Sequence, residues 1–259
     1  MMPDHNSIKP LIAVSGCLLG DPVRYDGTDK HNDLICNHLS THFEMIAVCP
    51  EVGAGLGTPR PPIKLTGNPL QPRALGVENP RLDVTSALTS FANSWLAQAK
   101  NISGAILKSR SPSCGLWDAP IFDPHDQVQS RGPGLFTQTL IQHYPQLPIS
   151  DEAEITDPKL RNAFISNIKL FAAWQRLLKI ELTTERLLNF HHHQLPPSLS
   201  QSELTTLNHT LEQLSQETIL ATANTYFQLL MATVNKHNHK PETEAHPTQA
   251  SNTSADILR

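Results

Sequence analysis

Three cysteines stand where an α/β fold would bring distant residues together. Cys17 closes the apolar run LIAVSG, Cys49 lies at the end of MIAVCP, and Cys114 follows ISGAILKS after the short basic turn LKSRSPSCG. Each run has the length and composition of a strand bounded by turn residues. In an open α/β sheet ligands bind beyond the carboxyl ends of the strands, so the three thiols are expected to meet there. No CxxC pair occurs, which argues against a zinc ribbon or a thioredoxin-type centre, where one tight turn carries two sulfurs. Three thiolates from three loops would leave a metal ion or cluster one open coordination position, as chemistry requires and mere structure does not.

Other reactive groups gather near these thiols. Glu51, two residues after Cys49 in CPEVG, would set a carboxylate at the same rim, to accept a proton or to cap local amides. Ser111 and Ser113 flank Pro112 just before Cys114 and could donate hydrogen bonds to a cluster sulfur or a substrate heteroatom, or simply shape the turn. Lys108, Arg110, Arg24 and Arg60 could give the rim a positive potential suited to a phosphate or an anionic cluster. Cys36, in LICNHL, falls within an expected helix and reads as a buried core thiol. The run from Gly53 to Gly57 leads into TPRPP instead of opening a helix, so it is no dinucleotide loop. His191, His192 and His193 are consecutive, point different ways on a helix, and read as surface residues.

The elements that must position these groups follow from the apolar pattern. Strand-like runs at 11–16, 45–50 and 102–109 alternate with helix-like stretches near 31–42 and at 85–100, the rhythm of a parallel sheet with helices on its faces. The segment GAGLGTPRPPIKLTGNPLQPRAL is too rich in proline and glycine for regular structure and reads as a long functional loop. A helix near 134–144 and the run LPIS at 147–150 would close this part. All 12 glycines lie between Gly16 and Gly134, so the rest of the chain suits helices. Asp157 can cap a helix whose first position is Pro158, with Phe164, Ile168, Phe171, Trp174 and Leu178 as its apolar stripe. A second helix takes in Leu187 and Phe190, and one or two more occupy 200–236, with Leu204, Leu207, Leu211 and Leu214 in register. The expected architecture is a parallel-sheet α/β domain at 1–150, a small all-α region at 151–236 and a disordered tail at 237–259.

Composition narrows the function class. With 20 Lys+Arg against 24 Asp+Glu and no long basic block, the chain is no general polyanion binder. The first 150 residues carry 11 Lys+Arg and 12 Asp+Glu, which favours a small substrate over tRNA. The opening MMPDHNSIKPLIAVSG has neither a signal peptide's pattern nor a membrane span's length, so no membrane partner and a cytoplasmic location are expected.

Taken together, VSGCLLGDPVRYDG at 14–27, VCPEVGAGLGTPRPP at 48–62, LKSRSPSCG at 107–115 and RGPGLF at 131–136 resemble the thiouracil desulfidases of the TudS type. The stretches TDPKLRNAFISNIKLFAAWQRL and ERLLNFHHHQ are similar to the start of the YbgA-like helical domain often fused behind them, here shortened and without its basic, leucine-rich continuation. The resemblance implies a 4Fe-4S cluster held by Cys17, Cys49 and Cys114, with one iron free of protein ligand. It also implies a catalytic glutamate, which falls on Glu51, and a catalytic serine in SPSC, taken as Ser111 rather than Ser113. The implied reaction removes sulfur from thiolated uracil bases or nucleotides without net redox change, releasing hydrosulfide and the uracil product.

Two other classes compete. A non-catalytic iron-sulfur or zinc-binding protein would use the helical half as a docking or sensor module. A thiol redox enzyme is disfavoured by the absence of a nearby resolving cysteine pair.

Overall fold

The computed structural model describes residues 9–212 and 218–236. Strands β1 (Leu11–Ser15), β2 (Glu44–Val48), β5 (Ile102–Leu107) and β8 (Ile149–Asp151) form a parallel sheet in the order β2-β1-β5-β8. Strands β3 (Ile63–Thr66), β4 (Arg73–Gly76), β6 (Ala119–Phe122) and β7 (Val128–Gly132) form a second, mixed sheet in the order β4-β3-β6-β7. The first sheet and its helices confirm the expected α/β class.

Register matters more than strand count. Ser15 pairs with Val48, Val14 with Ile106, and Leu107 with Asp151, so the four carboxyl ends finish nearly flush along one edge. Alternation along the strands then divides the core. Ile12, Val14 and Ile106 face a cluster with Ile35, Leu39, Phe43, Phe164, Ile165 and Ile168, whereas Ala13, Ala105 and Leu107 face the opposite side. There they meet Ala92 and Leu96 of α2 (Thr85–Gln98) and Phe136 and Leu140 of α3 (Leu135–His143).

Two features depart from the sequence reading in this half. The segment read as a loop without regular structure holds β3 and β4, which pair antiparallel, Leu65 opposite Ala74. With four residues each, between prolines and glycines, they give too short an alternation to stand out, and β3 is fixed by its non-local pairing of Leu65 with Ile121. The helix expected near 31–42 is a π turn at Leu34–His38 followed by a 3-10 turn at Leu39–Thr41.

The helical half begins as its cap predicts. The Asp157 side chain accepts from the amides of Lys159 and Leu160, and α4 runs from Pro158 to Leu177. Phe164, Ile168, Phe171 and Trp174 are buried, but Leu178 is 44% exposed because it follows the helix's last residue. Helix α4 lies directly on the sheet. A Cβ on Gly104 of β5 would come within 2.7 Å of the Ile168 side chain, so only glycine allows this approach. Gln175 locks the contact, accepting from Ser103 Oγ at 2.7 Å and donating to the Ile102 carbonyl at 2.9 Å. Helices α5 (Thr184–Gln194), α6 (Gln201–Glu212) and α7 (Ile219–Lys236) pack behind it, with Trp174 stacked on Phe227 at 4.4 Å and 2°. Sheet and helices thus share one apolar cluster. Leu214 and the tail at 237–259 lie outside the described residues.

At the end of β8 the Asp151 carboxylate accepts the amides of Ala153 and Glu154 at 2.8 and 2.9 Å. Burial, reinforced by the neighbouring Glu154 and Glu152 carboxylates, pushes its pKa up to about 6. A carboxyl raised in the folded state stabilises below its unfolded pKa, and that contribution is lost as pH rises through the folded value. Asp151→Asn keeps an acceptor for both amides without the charge. Denaturant unfolding should therefore show the variant gaining on the parent from about pH 4 to above pH 6; a pH-independent difference would contradict the assignment.

Candidate active site

The flush strand ends carry the chemistry. Cys17 sits in a 3-10 turn, Gly16–Leu19, just after β1. Cys49 follows β2 and is the N-cap of α1 (Pro50–Gly53), a single turn that places Glu51 one residue beyond Pro50. Cys114 lies in the loop after β5. These three cysteines, Glu51 and Ser111 line one cavity of about 380 Å³, together with Arg24, Arg60, Lys108 and Glu152. The three cysteines expected at the strand ends therefore border one cavity. Cys36 is not part of it, and it is not the buried core thiol expected. It is partly exposed on the π turn, 3.6 Å from the Leu18 carbonyl and 3.7 Å from His31 Nδ1.

Burial governs the thiols' protonation. It pushes the Cys17 pKa up to about 11, a rise that Lys108 and Arg24 only partly offset. Burial likewise raises Cys49, with Glu51 adding to the rise, and drives Cys114 well above the ordinary thiol range. Three neutral thiols with no sufficient counter-charge are the expected form of a ligand set that ionises when a cationic centre enters. Among the described residues no group of three or more His, Cys, Asp or Glu is gathered closely enough to hold a single metal ion. A lone zinc with sulfur bonds of about 2.3 Å needs such a tight group. Three cysteine thiols around one cavity are nevertheless the donor type that an iron-sulfur cluster takes.

The loop carrying Cys114 is held from below by α3. The amides of Leu135 and Phe136 donate to the carbonyls of Pro112 and Ser113 at 3.1 and 2.9 Å, and Thr137 Oγ1 donates to the Cys114 carbonyl at 2.9 Å. Gly134 makes this possible, since a Cβ there would come within 2.4 Å of the Ser113 carbonyl carbon. The RGPGLF motif therefore acts as the seat of the SPSC loop.

The two serines differ in their partners. Ser111 Oγ accepts the amides of Ser113 and Cys114 at 3.2 and 3.0 Å, and the residue lines the cavity. Ser113, only 1% exposed, donates to Glu51 Oε1 at 2.9 Å. Glu51 Oε2 accepts from Arg60 Nε at 2.8 Å, an ion pair whose side chains are 12% and 5% exposed.

The cations expected to line the rim separate into two kinds. Arg60 is committed to Glu51, and Lys108 to Glu152, so neither is a free phosphate-binding charge. Glu152 also accepts from Ser109 N at 2.9 Å and from Ser109 Oγ at 2.6 Å. Although burial opposes ionisation, the Lys108 and Ser109 contacts hold its carboxyl below the ordinary range. Arg24 stands 3.7 Å from Asp26 and over the Tyr25 ring. Arg110 is exposed at the cavity mouth with φ at 58°. Glu152 follows the expected run at 147–150 but is not among the sequence candidates, because only its contacts with Lys108 and Ser109, more than 40 residues away in sequence, bring it to the site. Of the three consecutive histidines, His192 and His193 are exposed as expected, but His191 is buried with Nδ1 3.0 Å from the Tyr226 hydroxyl.

The family model described as 2-thiouracil desulfurase matches residues 12–152. The uncharacterized protein YbbK of Bacillus subtilis (strain 168) is 37% identical over 111 residues, which is 40% of this chain and 73% of that protein. A solved structure of a 4Fe-4S-dependent thiouracil desulfidase, TudS, is 33% identical and covers 60% of this chain and 99% of its own, with a TM-score of 0.48.

Burial also ranks the thiols' reactivity in the metal-free protein. Iodoacetamide near neutral pH, followed by peptide mass spectrometry, should modify Cys36 first and Cys17 and Cys114 last, with urea abolishing the order. Labelling of Cys114 as fast as Cys36 would contradict the geometry.

Proposed function

The chain belongs to the 2-thiouracil desulfurase family, and from that premise we propose that it hydrolyses the carbon-sulfur bond of a small thiolated pyrimidine at a 4Fe-4S cluster held by Cys17, Cys49 and Cys114. One observation carries the reading: the three thiols, Glu51 and Ser111 line a single cavity, although they come from three strand ends. When bound, the cluster supplies an iron without a protein ligand, a Lewis acid that polarises the thiocarbonyl and makes its carbon electrophilic.

The chain's own groups do the rest. The Glu51 carboxylate, held at both oxygens by Arg60 and Ser113, orients a water molecule toward that carbon and takes its proton at a remaining lone pair. The Ser111 hydroxyl accepts two amides, which polarises its O–H as a donor to the base's exocyclic carbonyl oxygen or to the departing sulfur. Water's oxygen replaces sulfur on the carbon, sulfur leaves as hydrosulfide, and no electron is gained or lost.

The cavity's size and the near-neutral first half favour a free base or nucleotide over tRNA, and Arg110 at the mouth would meet a substrate phosphate. Thiols that must stay reduced suit a cytoplasmic enzyme. Among the described residues no helix is long and apolar enough to cross a membrane.

Glu51→Gln should retain parent iron and sulfide content after anaerobic reconstitution but lose turnover of thiouracil by about 100-fold or more. Parent turnover in that variant would remove Glu51 from the reaction. Ser111→Ala should also depress turnover with the cluster intact, and full activity would pass the role to another donor.

A further inference from the structure

We propose that Arg60 is the positioning residue of this site: it fixes the carboxylate of Glu51 in the one orientation that faces the reacting carbon. This deepens the desulfidase reading and rests on it for what Glu51 does, though not for where Glu51 stands.

Arg60 is anchored along its whole length. Its amide donates to the Tyr25 carbonyl at 2.8 Å, and Nη1 donates to the Gly57 carbonyl at 2.8 Å and to Thr58 Oγ1 at 3.3 Å. Only then does Nε reach Glu51 Oε2 at 2.8 Å. The residue's backbone is therefore tied to the Tyr25 carbonyl, and its guanidinium is pre-set by the Gly57 carbonyl and the Thr58 hydroxyl as it meets the carboxylate. Ser113 holds the other oxygen from a different loop, so the plane of the carboxylate is defined by two partners that come from separate strand ends.

The chemistry selects arginine. A planar fork can bond a carboxylate through one nitrogen and a carbonyl through another, whereas a lysine ammonium is a single point on a flexible stem. The glutamate itself sits on a single helical turn, Pro50–Gly53, too short to hold a side chain rigid without outside support. Displacement of a reacting group by about 1 Å can cost on the order of 100-fold in rate. The positive charge the sequence suggested for a phosphate is thus spent inside the protein, and the TPRPP segment becomes a strut for Glu51.

The test uses Arg60→Met and Arg60→Lys in the full chain, reconstituted anaerobically. Iron and sulfide content should match the parent in both. With thiouracil as substrate, kcat should fall about 100-fold in Arg60→Met and about 10-fold in Arg60→Lys, while KM stays within about threefold of the parent. A crystal structure of Arg60→Met should show the Glu51 carboxylate displaced from Ser113. Unchanged kcat in Arg60→Met, a loss carried by KM, or an undisplaced Glu51 would each overturn the proposal. Should Arg60→Met fail to fold, Arg60→Lys decides by the same readings, parent kcat counting against the proposal. If the parent itself shows no turnover, the desulfidase reading fails, and the crystal structure still decides whether Arg60 positions Glu51.

Discussion

Everything at this site depends on the flush register of parallel strands. Because Ser15 pairs with Val48 and Val14 with Ile106, the residues that follow three strands emerge at one edge of the sheet, and three cysteines border one cavity without any local motif to join them. A slip by one residue would exchange the two buried faces of a strand, putting Ile12 and Val14 where the smaller Ala13 packs, and that misfit makes such a slip costly. The register is therefore protected by the core, and the site inherits that protection. Helix α4, brought close by Gly104, closes one face of the sheet, and α2 and α3 close the other.

Electrostatics complete what register begins. Nearly every buried charge around the cavity has an opposite partner: Arg60 with Glu51, and Lys108 with Glu152. Removing one member of a buried pair leaves the other uncompensated, at a cost of about 3–5 kcal/mol, so these pairs hold their loops in place. The thiols are the exception. Burial raises all three, and among the described residues Lys108, Arg24 and Arg60 offset that rise only in part, at Cys17 and Cys49. That imbalance is what a cationic cluster would correct, at a rim whose other buried charges are already paired.

Much of this was legible in the sequence. The runs before Cys17, Cys49 and Cys114 are long enough and apolar enough to mark buried parallel strands, and the strand-end rule then brings the thiols together. The Asp157-Pro158 cap located α4 to the residue. What escaped reading depends on non-local geometry. Strands β3 and β4 are too short to show a pattern and are defined by pairing. Cys36 has apolar neighbours in sequence but stands half-open on a π turn, and His191 is buried because α7 brings Tyr226 against it. The roles of Arg60, Ser113 and Glu152 depend on which partner each side chain finds across the cavity, a fact that spacing along one chain does not encode.

The central claim is that this cavity holds a cluster on three cysteines and uses it to desulfurise a pyrimidine. The most direct test is anaerobic reconstitution with iron and sulfide, followed by addition of 2-thiouracil, 4-thiouracil or a thiolated uridine monophosphate, with loss of thiocarbonyl absorbance and release of sulfide measured together. The account predicts multiple turnovers, with sulfide and uracil product formed in equal amounts, and no cluster in a protein lacking any one of Cys17, Cys49 or Cys114. A fully loaded cluster that leaves all of these thiolated pyrimidines intact would contradict it.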